Sequence, residues 1–139
     1  MTTSRVLFWH RRDLRLTDNL GLSAAVEISP AVTGVYVLDP QLISPPEHLP
    51  PMAPARLWFL LESLVELQQR WHEAGSRLLI MEGDPVQVLP QLAQQIGAEA
   101  VVWNRDVEPY ARERDRQVSK TLKADGRKVV VDWDQLLIA

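Results

Sequence analysis

Polar, charged and aromatic residues gather in three stretches of this chain, each closing an apolar run. The first is Trp9-His10-Arg11-Arg12-Asp13 and the second is Tyr36-Val37-Leu38-Asp39. The third is Trp103-Asn104-Arg105-Asp106-Val107-Glu108-Pro109-Tyr110. Carboxylates accept hydrogen bonds, arginine offers a planar fork of donors, and aromatic rings supply flat apolar walls. A cleft built from Tyr36, Asp39, Asp106 and Glu108, with Arg56 facing it, suits a flat heterocycle carrying N–H donors and carbonyl acceptors. Taken singly, the same residues have plainer readings. Arg11-Arg12-Asp13-Leu14-Arg15 reads as a solvated, internally paired loop, and Asp39 as a turn former before Pro40. Asp106 and Glu108 read as acidic residues favoured near a helix N-terminus. Trp9 and Trp103 read as core. Only their convergence on one sheet edge favours a ligand.

Other chemistries lack their parts. No Gly-rich phosphate loop of Walker type is present, and no Gly-x-Gly-x-x-Gly follows the first apolar run. No Gly-x-Ser-x-Gly nucleophile elbow occurs. His10, His48 and His72 are far apart and have no metal-ligand spacing. The absence of cysteine excludes disulfides, thiol catalysis and Cys-based zinc sites.

The elements that position these residues follow from apolar periodicity. Val6–Trp9, Val32–Leu38, Leu78–Met81, Ala100–Trp103 and Val129–Val131 are continuous apolar runs, the signature of strands covered on both faces. Helical patterns lie between them. Asp18 or Asn19 caps a helix to about Ile28. Pro54 opens a second, with Leu57, Leu60, Leu61, Leu64, Leu67 and Trp71 as its apolar stripe and Gly75 as its stop. Asp84-Pro85 opens a third, with Val88, Leu89, Leu92, Ala93 and Ile96 inward and Gly97 as its end. The fourth runs from about Pro109 to Asp125, mostly solvated, with Val118 and Leu122 inward and Gly126 as its stop. Strict alternation predicts an α/β fold: a three-layer α/β/α Rossmann-like sandwich on a five-stranded parallel sheet of order 3-2-1-4-5. Strands 1, 2 and 4 are then neighbours, and the three polar stretches meet at the topological switch.

The segment from Asp39 to Ala53 is longer than the usual two to six residues of such a connection. Six of the ten prolines fall between Pro40 and Pro54, so it is expected to be long without being loose. The chain closes on Leu136-Leu137-Ile138-Ala139, which reads either as a cut at a domain boundary or as a last packed element.

With 139 residues, one domain is expected. Apolar residues at 46% and charged residues at 24% argue against disorder. Lys+Arg 15 against Asp+Glu 18 leaves −3, unlike the basic footprint of a nucleic-acid binder. Twelve of the fifteen basic residues are Arg, a bias suited to planar polar ligands and buried ion pairs. No apolar run is long enough to span a membrane, and Val6-Leu7-Phe8-Trp9 runs straight into His10-Arg11-Arg12 rather than forming a signal peptide. A cytoplasmic domain is expected.

Five motifs together resemble one family. Leu7-Phe8-Trp9-His10-Arg11-Arg12-Asp13-Leu14-Arg15-Leu16-Thr17-Asp18-Asn19 resembles the opening of the DNA photolyase/cryptochrome family. Asp39-Pro40, Met52-Ala53-Pro54-Ala55-Arg56, Glu82-Gly83-Asp84-Pro85 and Trp103 to Tyr110 follow in that family's order, and Trp133-Asp134 matches the segment leaving the domain. The resemblance spans the whole chain and is nearest to microbial cyclobutane-dimer photolyases with a deazaflavin antenna. It implies an antenna-binding domain over residues 1–132, with 133–139 beginning a linker to a helical domain that binds FAD.

The resemblance further implies a light-harvesting role without catalytic residues in this chain. Repair of pyrimidine dimers, FAD and direct DNA binding would belong to the helical domain, so this chain alone would not be an enzyme. The implied cofactor is 8-hydroxy-5-deazaflavin, with methenyltetrahydrofolate and FMN as alternatives. Carried over by motif, its contacts are Tyr36, Val37, Asp39, Arg56, Asp106, Val107 and Glu108, and, on weaker matches, His10, Arg11, Ala53, Tyr110 and Arg112. The partner is the helical domain, with a dimer through the uncovered interdomain face as a further expectation. Two readings outside the family stay open: a stand-alone Rossmann-like nucleotide-binding module and a partner-docking module.

Overall fold

The computed structural model describes residues 4–11, 13–40, 53–106 and 109–132, with the side chains of 109 and 110 excepted. In chain order the elements are β1 (Arg5–His10), α1 (Leu20–Ile28), β2 (Ala31–Leu38), α2 (Pro54–Glu73), β3 (Leu78–Glu82), α3 (Pro85–Ile96), β4 (Ala98–Asn104), α4 (Pro109–Ala124) and β5 (Lys128–Asp132). All strands are parallel, in the order β3-β2-β1-β4-β5. The expected architecture and strand order are therefore those of the folded chain.

Alternation of side chains explains why the apolar runs are continuous. Leu7, Trp9, Val35, Val37, Val101 and Trp103 pack with Leu89 and Leu92 of α3 and Val118 and Leu122 of α4. Their neighbours Val6, Phe8, Val32, Ala100 and Val102 pack with Ala25 of α1 and Leu67 and Trp71 of α2. Each face is buried, so neither set can be polar. Gly34 belongs to the second face. A Cβ there would lie 2.6 Å from the Trp71 ring, so the missing side chain is what lets α2 lie close to the sheet.

The helix starts follow the expected chemistry. Asn19 Oδ1 accepts from Leu22 N at 3.0 Å, and Asp84 Oδ1 accepts from Val86 N at 3.0 Å. Pro54 and Pro85 occupy first-turn positions.

The stripe on α2 is buried only over its second half. Leu64, Leu67 and Trp71 are in the core, Leu57 and Leu60 are half-buried, and Leu61 is 44% exposed. Length is the reason. Twenty residues of helix span about 30 Å, whereas the five residues of β3 span about 17 Å. Since α2 ends at the turn into β3, its first turns overhang the carboxyl edge of the sheet, carrying Arg56 with them.

Candidate functional site

The polar stretches meet at the carboxyl ends of β1, β2 and β4, which are adjacent. Arg11, directly after β1, is the hub. Its Nη1 donates to Asp115 Oδ2 of α4 at 2.6 Å, and its Nη2 lies 3.6 Å from Asp106 Oδ2. Its guanidinium sits 4.7 Å from the Trp9 ring centroid, a cation–π contact. Trp9 in turn meets Trp103 edge-on at 5.3 Å. A second ion pair joins Asp39 Oδ2, after β2, to Arg114 Nη1 of α4 at 2.6 Å. Helix α4 thus ties the ends of β1 and β2 together through two arginine–carboxylate pairs, and Arg11 links them to Asp106 after β4.

Burial pushes the Asp115 carboxyl above the usual carboxylate range. Arg11 opposes this shift, Asp106 adds to it, and the Trp103 indole opposes it. The indole N–H faces the carboxylate, yet neither it nor Asp115 Oδ1 meets a partner at hydrogen-bond geometry.

Below the edge lies a buried polar network. Asn104 Nδ2 donates to Asp13 Oδ2 and to Asn19 Oδ1, both at 2.8 Å, and Asn104 Oδ1 accepts from Gly21 N at 2.8 Å. Asn19 Nδ2 donates to Asp13 Oδ2 at 3.1 Å and to the Arg15 carbonyl at 3.0 Å. Asp13 Oδ1 accepts from Arg11 N at 2.9 Å, which fixes the backbone of the hub. A Cβ on Gly21 would stand 2.4 Å from Asn104 Oδ1, so only glycine admits this bond.

His10 is part of this interior. It is fully buried; Nδ1 donates to the Asp13 carbonyl at 2.8 Å and Nε2 accepts from Trp71 Nε1 at 3.0 Å. These partners fix the Nδ1–H tautomer. Desolvation lowers its pKa, outweighing the nearby Asp13 charge and the Asp13 carbonyl bond, so the ring is neutral at neutral pH. The expectation that His10 contacts a ligand is corrected: it has no exposed surface and both ring nitrogens are engaged.

The other expected site residues fall in different places. Asp39, Asp106 and Arg11 converge through α4 as described. Tyr36 is 8% exposed, in register with His10 across β1 and β2, and burial raises its hydroxyl pKa. Val37 packs in the core beside Leu89 and Trp103, so its side chain is taken up there. Ala53 and Arg56 are exposed at the start of α2, where Arg56 N bonds the Ala53 carbonyl at 2.9 Å. Arg112 lines a cavity of about 460 Å³ on the β5 side of the hub, with Trp103, Arg105, Asp115 and Val131. Val107, Glu108, the Tyr110 side chain, most of the proline-rich connection and Trp133-Asp134 lie outside the described residues.

Sequence reasoning missed Arg114, Asp115, Asp13, Asn19 and Asn104 as site builders. For Asp115 a signal existed: Ala111, Asp115, Val118 and Leu122 recur at steps of four, three and four, one helix face, and all four are buried. Among the described residues no group of three His, Cys, Asp or Glu forms a metal cluster. None of their helices is long and apolar enough to cross a membrane.

Comparison with known proteins agrees with this geometry. A sequence profile of the DNA photolyase family matches residues 6–139. A deoxyribodipyrimidine photo-lyase of Synechococcus sp. is 55% identical over 132 residues, which are 95% of this chain and 26% of the relative. The chain therefore spans about a quarter of that curated relative. Among solved structures, a Synechocystis cryptochrome aligns with a TM-score of 0.86 at 32% identity, over 96% of this chain and 28% of the other. An archaeal photolyase from Sulfolobus tokodaii, solved with two FAD molecules and discussed for a novel light-harvesting cofactor, aligns at 0.83 and 27% identity, over 93% and 29%. The motifs, the 3-2-1-4-5 sheet and these matches converge: the chain belongs to the DNA photolyase family and corresponds to its N-terminal α/β domain.

Proposed function

We propose that this domain holds a light-harvesting chromophore at the carboxyl edge of β1, β2 and β4, and that 8-hydroxy-5-deazaflavin is preferred over a folate or FMN. One observation carries the reading. Arg114 of α4 holds Asp39, and Arg11, itself held by Asp115 of α4, lies against Asp106, while α2 overhangs the same edge with Arg56. An antenna needs a fixed position and orientation rather than an acid, a base or a nucleophile, and the edge is tied by ion pairs and lacks a nucleophile–base pair among the described residues.

The donor set fits the chromophore class. A carboxylate has about four lone-pair sites, so one held by arginine still accepts from a ring N–H or a ribityl hydroxyl. Asp39, Asp106 and Glu108 take that part, Arg56 meets ring oxygens, and Tyr36 supplies apolar contact. The bound chromophore supplies absorption of near-UV or blue light and passes the excitation on without bonding to its acceptor. The Sulfolobus structure, with its second FAD, is a family precedent for a flavin in such a role.

Residues 1–132 form this domain and 133–139 lead toward the remainder of a photolyase, whose FAD-binding part performs the repair chemistry. The chain by itself works as a binding domain in the cytoplasm, without repairing DNA. Its net charge of −3 supports the absence of a DNA contact.

Fluorescence titration with 8-hydroxy-5-deazaflavin and with methenyltetrahydrofolate tests this. The deazaflavin is expected to bind more tightly, and Asp106→Ala and Arg56→Ala each to weaken it by about tenfold or more, since a hydrogen bond to a charged group contributes roughly 1.5–3 kcal/mol. Glu113→Ala, whose exposed carboxylate pairs with Arg116, is expected to leave binding unchanged. Equal affinity for the folate, or undiminished binding in both variants, would leave these residues as structural ion pairs.

A further inference from the structure

The cavity on the β5 side of the hub, about 460 Å³, falls within the size range of small-molecule pockets, roughly 300–1,000 Å³. One face of α4 supplies much of its lining, because Arg112, Arg116 and Ser119 recur at steps of four and three. With Arg105 and Glu113 added, three guanidinium groups line it against two carboxylates. One of those carboxylates, Asp115, is already held from the hub by Arg11 at 2.6 Å. The other, Glu113, is held by Arg116 at 2.8 Å. The lining is therefore cationic on balance.

Two buried polar atoms belong to the same wall. Trp103 Nε1 and Asp115 Oδ1 have no hydrogen-bond partner among the described residues, and both residues line the cavity. An indole N–H needs an acceptor, and a carboxylate oxygen needs a donor. A hydroxyl is both, so one alcohol group satisfies the pair. An apolar ligand satisfies neither. The arginines ask for a second group, since the planar guanidinium fork matches the oxygens of a phosphate. A polyol chain that ends in a phosphate meets both demands.

We propose that this cavity is a phosphate subsite of the chromophore site, and that the domain binds the 5′-phosphate of its deazaflavin more tightly than the free ribityl form. The ribityl chain passes Trp103 and Asp115, and the phosphate meets Arg112 and Arg116. The inference rests on the antenna reading. It adds the chemical form of the chromophore and a second anchor for it. Asp115 joins the two places, holding Arg11 of the hub through Oδ2 while lining the cavity. Strands β4 and β5 are neighbours, about 4.8 Å apart, so a ribityl chain spans the step from Asp106 to the cavity.

Fluorescence titration of this chain with 8-hydroxy-5-deazaflavin and with its 5′-phosphate is the test, and the quantity read is the ratio of the two affinities. The phosphate form is expected to bind about tenfold more tightly, with the difference narrowing as salt is raised. The double variant Arg112→Gln, Arg116→Gln is expected to remove most of that difference. Lys123→Gln is expected to keep it, since Lys123 is exposed in the last turn of α4 and does not line the cavity. Equal affinity for the two forms would overturn the subsite while leaving the antenna reading in place. An equal loss of the difference in Lys123→Gln would also overturn it, because the attraction would then be to the general charge of α4. Binding of neither form would overturn the antenna reading and the subsite together.

Discussion

Asn104→Ala is expected to lower the stability of the domain by about 3–5 kcal/mol, the largest effect of a single truncation at this site. The residue sits at the end of β4, where one side chain satisfies Asp13 Oδ2, Asn19 Oδ1 and the Gly21 N–H. All three partners are buried, and each buried group left unpaired costs about 1–3 kcal/mol. Domains of this kind have only about 5–15 kcal/mol in total, so the melting temperature should fall by roughly 10 °C or more. Asn104→Asp should be at least as damaging, since it replaces the donor facing Asp13 with a second carboxylate. Thermal melts followed by circular dichroism give the answer. A loss below about 1 kcal/mol for Asn104→Ala would mean that water substitutes freely in this network.

Arg11→Leu is expected to destabilise the domain by roughly 2–4 kcal/mol at neutral pH, with a loss that shrinks on acidification. Leucine keeps apolar contact with Trp9 but leaves Asp115 and Asp106 without their shared cation. Asp115 is buried, and its pKa is already raised by that burial; without Arg11 it rises further. Through the window between the unfolded and folded values the folded state binds more protons than the unfolded one. This group's contribution to stability therefore falls as pH rises through that window. Below it Asp115 is neutral in both proteins and needs no cation. Urea titrations of wild type and variant at pH 5 and pH 7.5 should show the smaller difference at pH 5. A difference that is constant or grows on acidification would place the effect in packing over Trp9 instead.

The fold was largely legible because its signals are local. Five continuous apolar runs, separated by Asn19, Pro54, Asp84-Pro85, Gly97 and Gly126, define strands and helices without reference to distant residues. The parallel sheet and its order follow from alternation and crossover rules. What could not be read depends on distance in the chain. Arg11 finds Asp115 across 104 positions, and Asn104 finds Asp13 across 91. No spacing rule links such pairs, so the Arg11 stretch reads as a loop paired within itself, whereas it is the hub between β1, β4 and α4. His10 shows the converse: a histidine at a sheet edge suggests a ligand contact, yet Trp71 rises through the space left by Gly34 and takes its Nε2. The half-buried stripe of α2 depends on how deep the sheet is, which one helix cannot reveal.

If the carboxyl edge of β1, β2 and β4 is the chromophore site, the ligand must perturb that edge first. The most direct measurement is a ¹⁵N–¹H correlation titration of this chain with 8-hydroxy-5-deazaflavin. The largest shifts should fall on the amides of Tyr36, Asp39, Arg56 and Asp106, with smaller ones on Arg114 and Asp115, whose side chains hold that edge. Shifts confined to Arg112, Ser119 and Val131 around the cavity against β5, or a set with no contiguous surface, would contradict it.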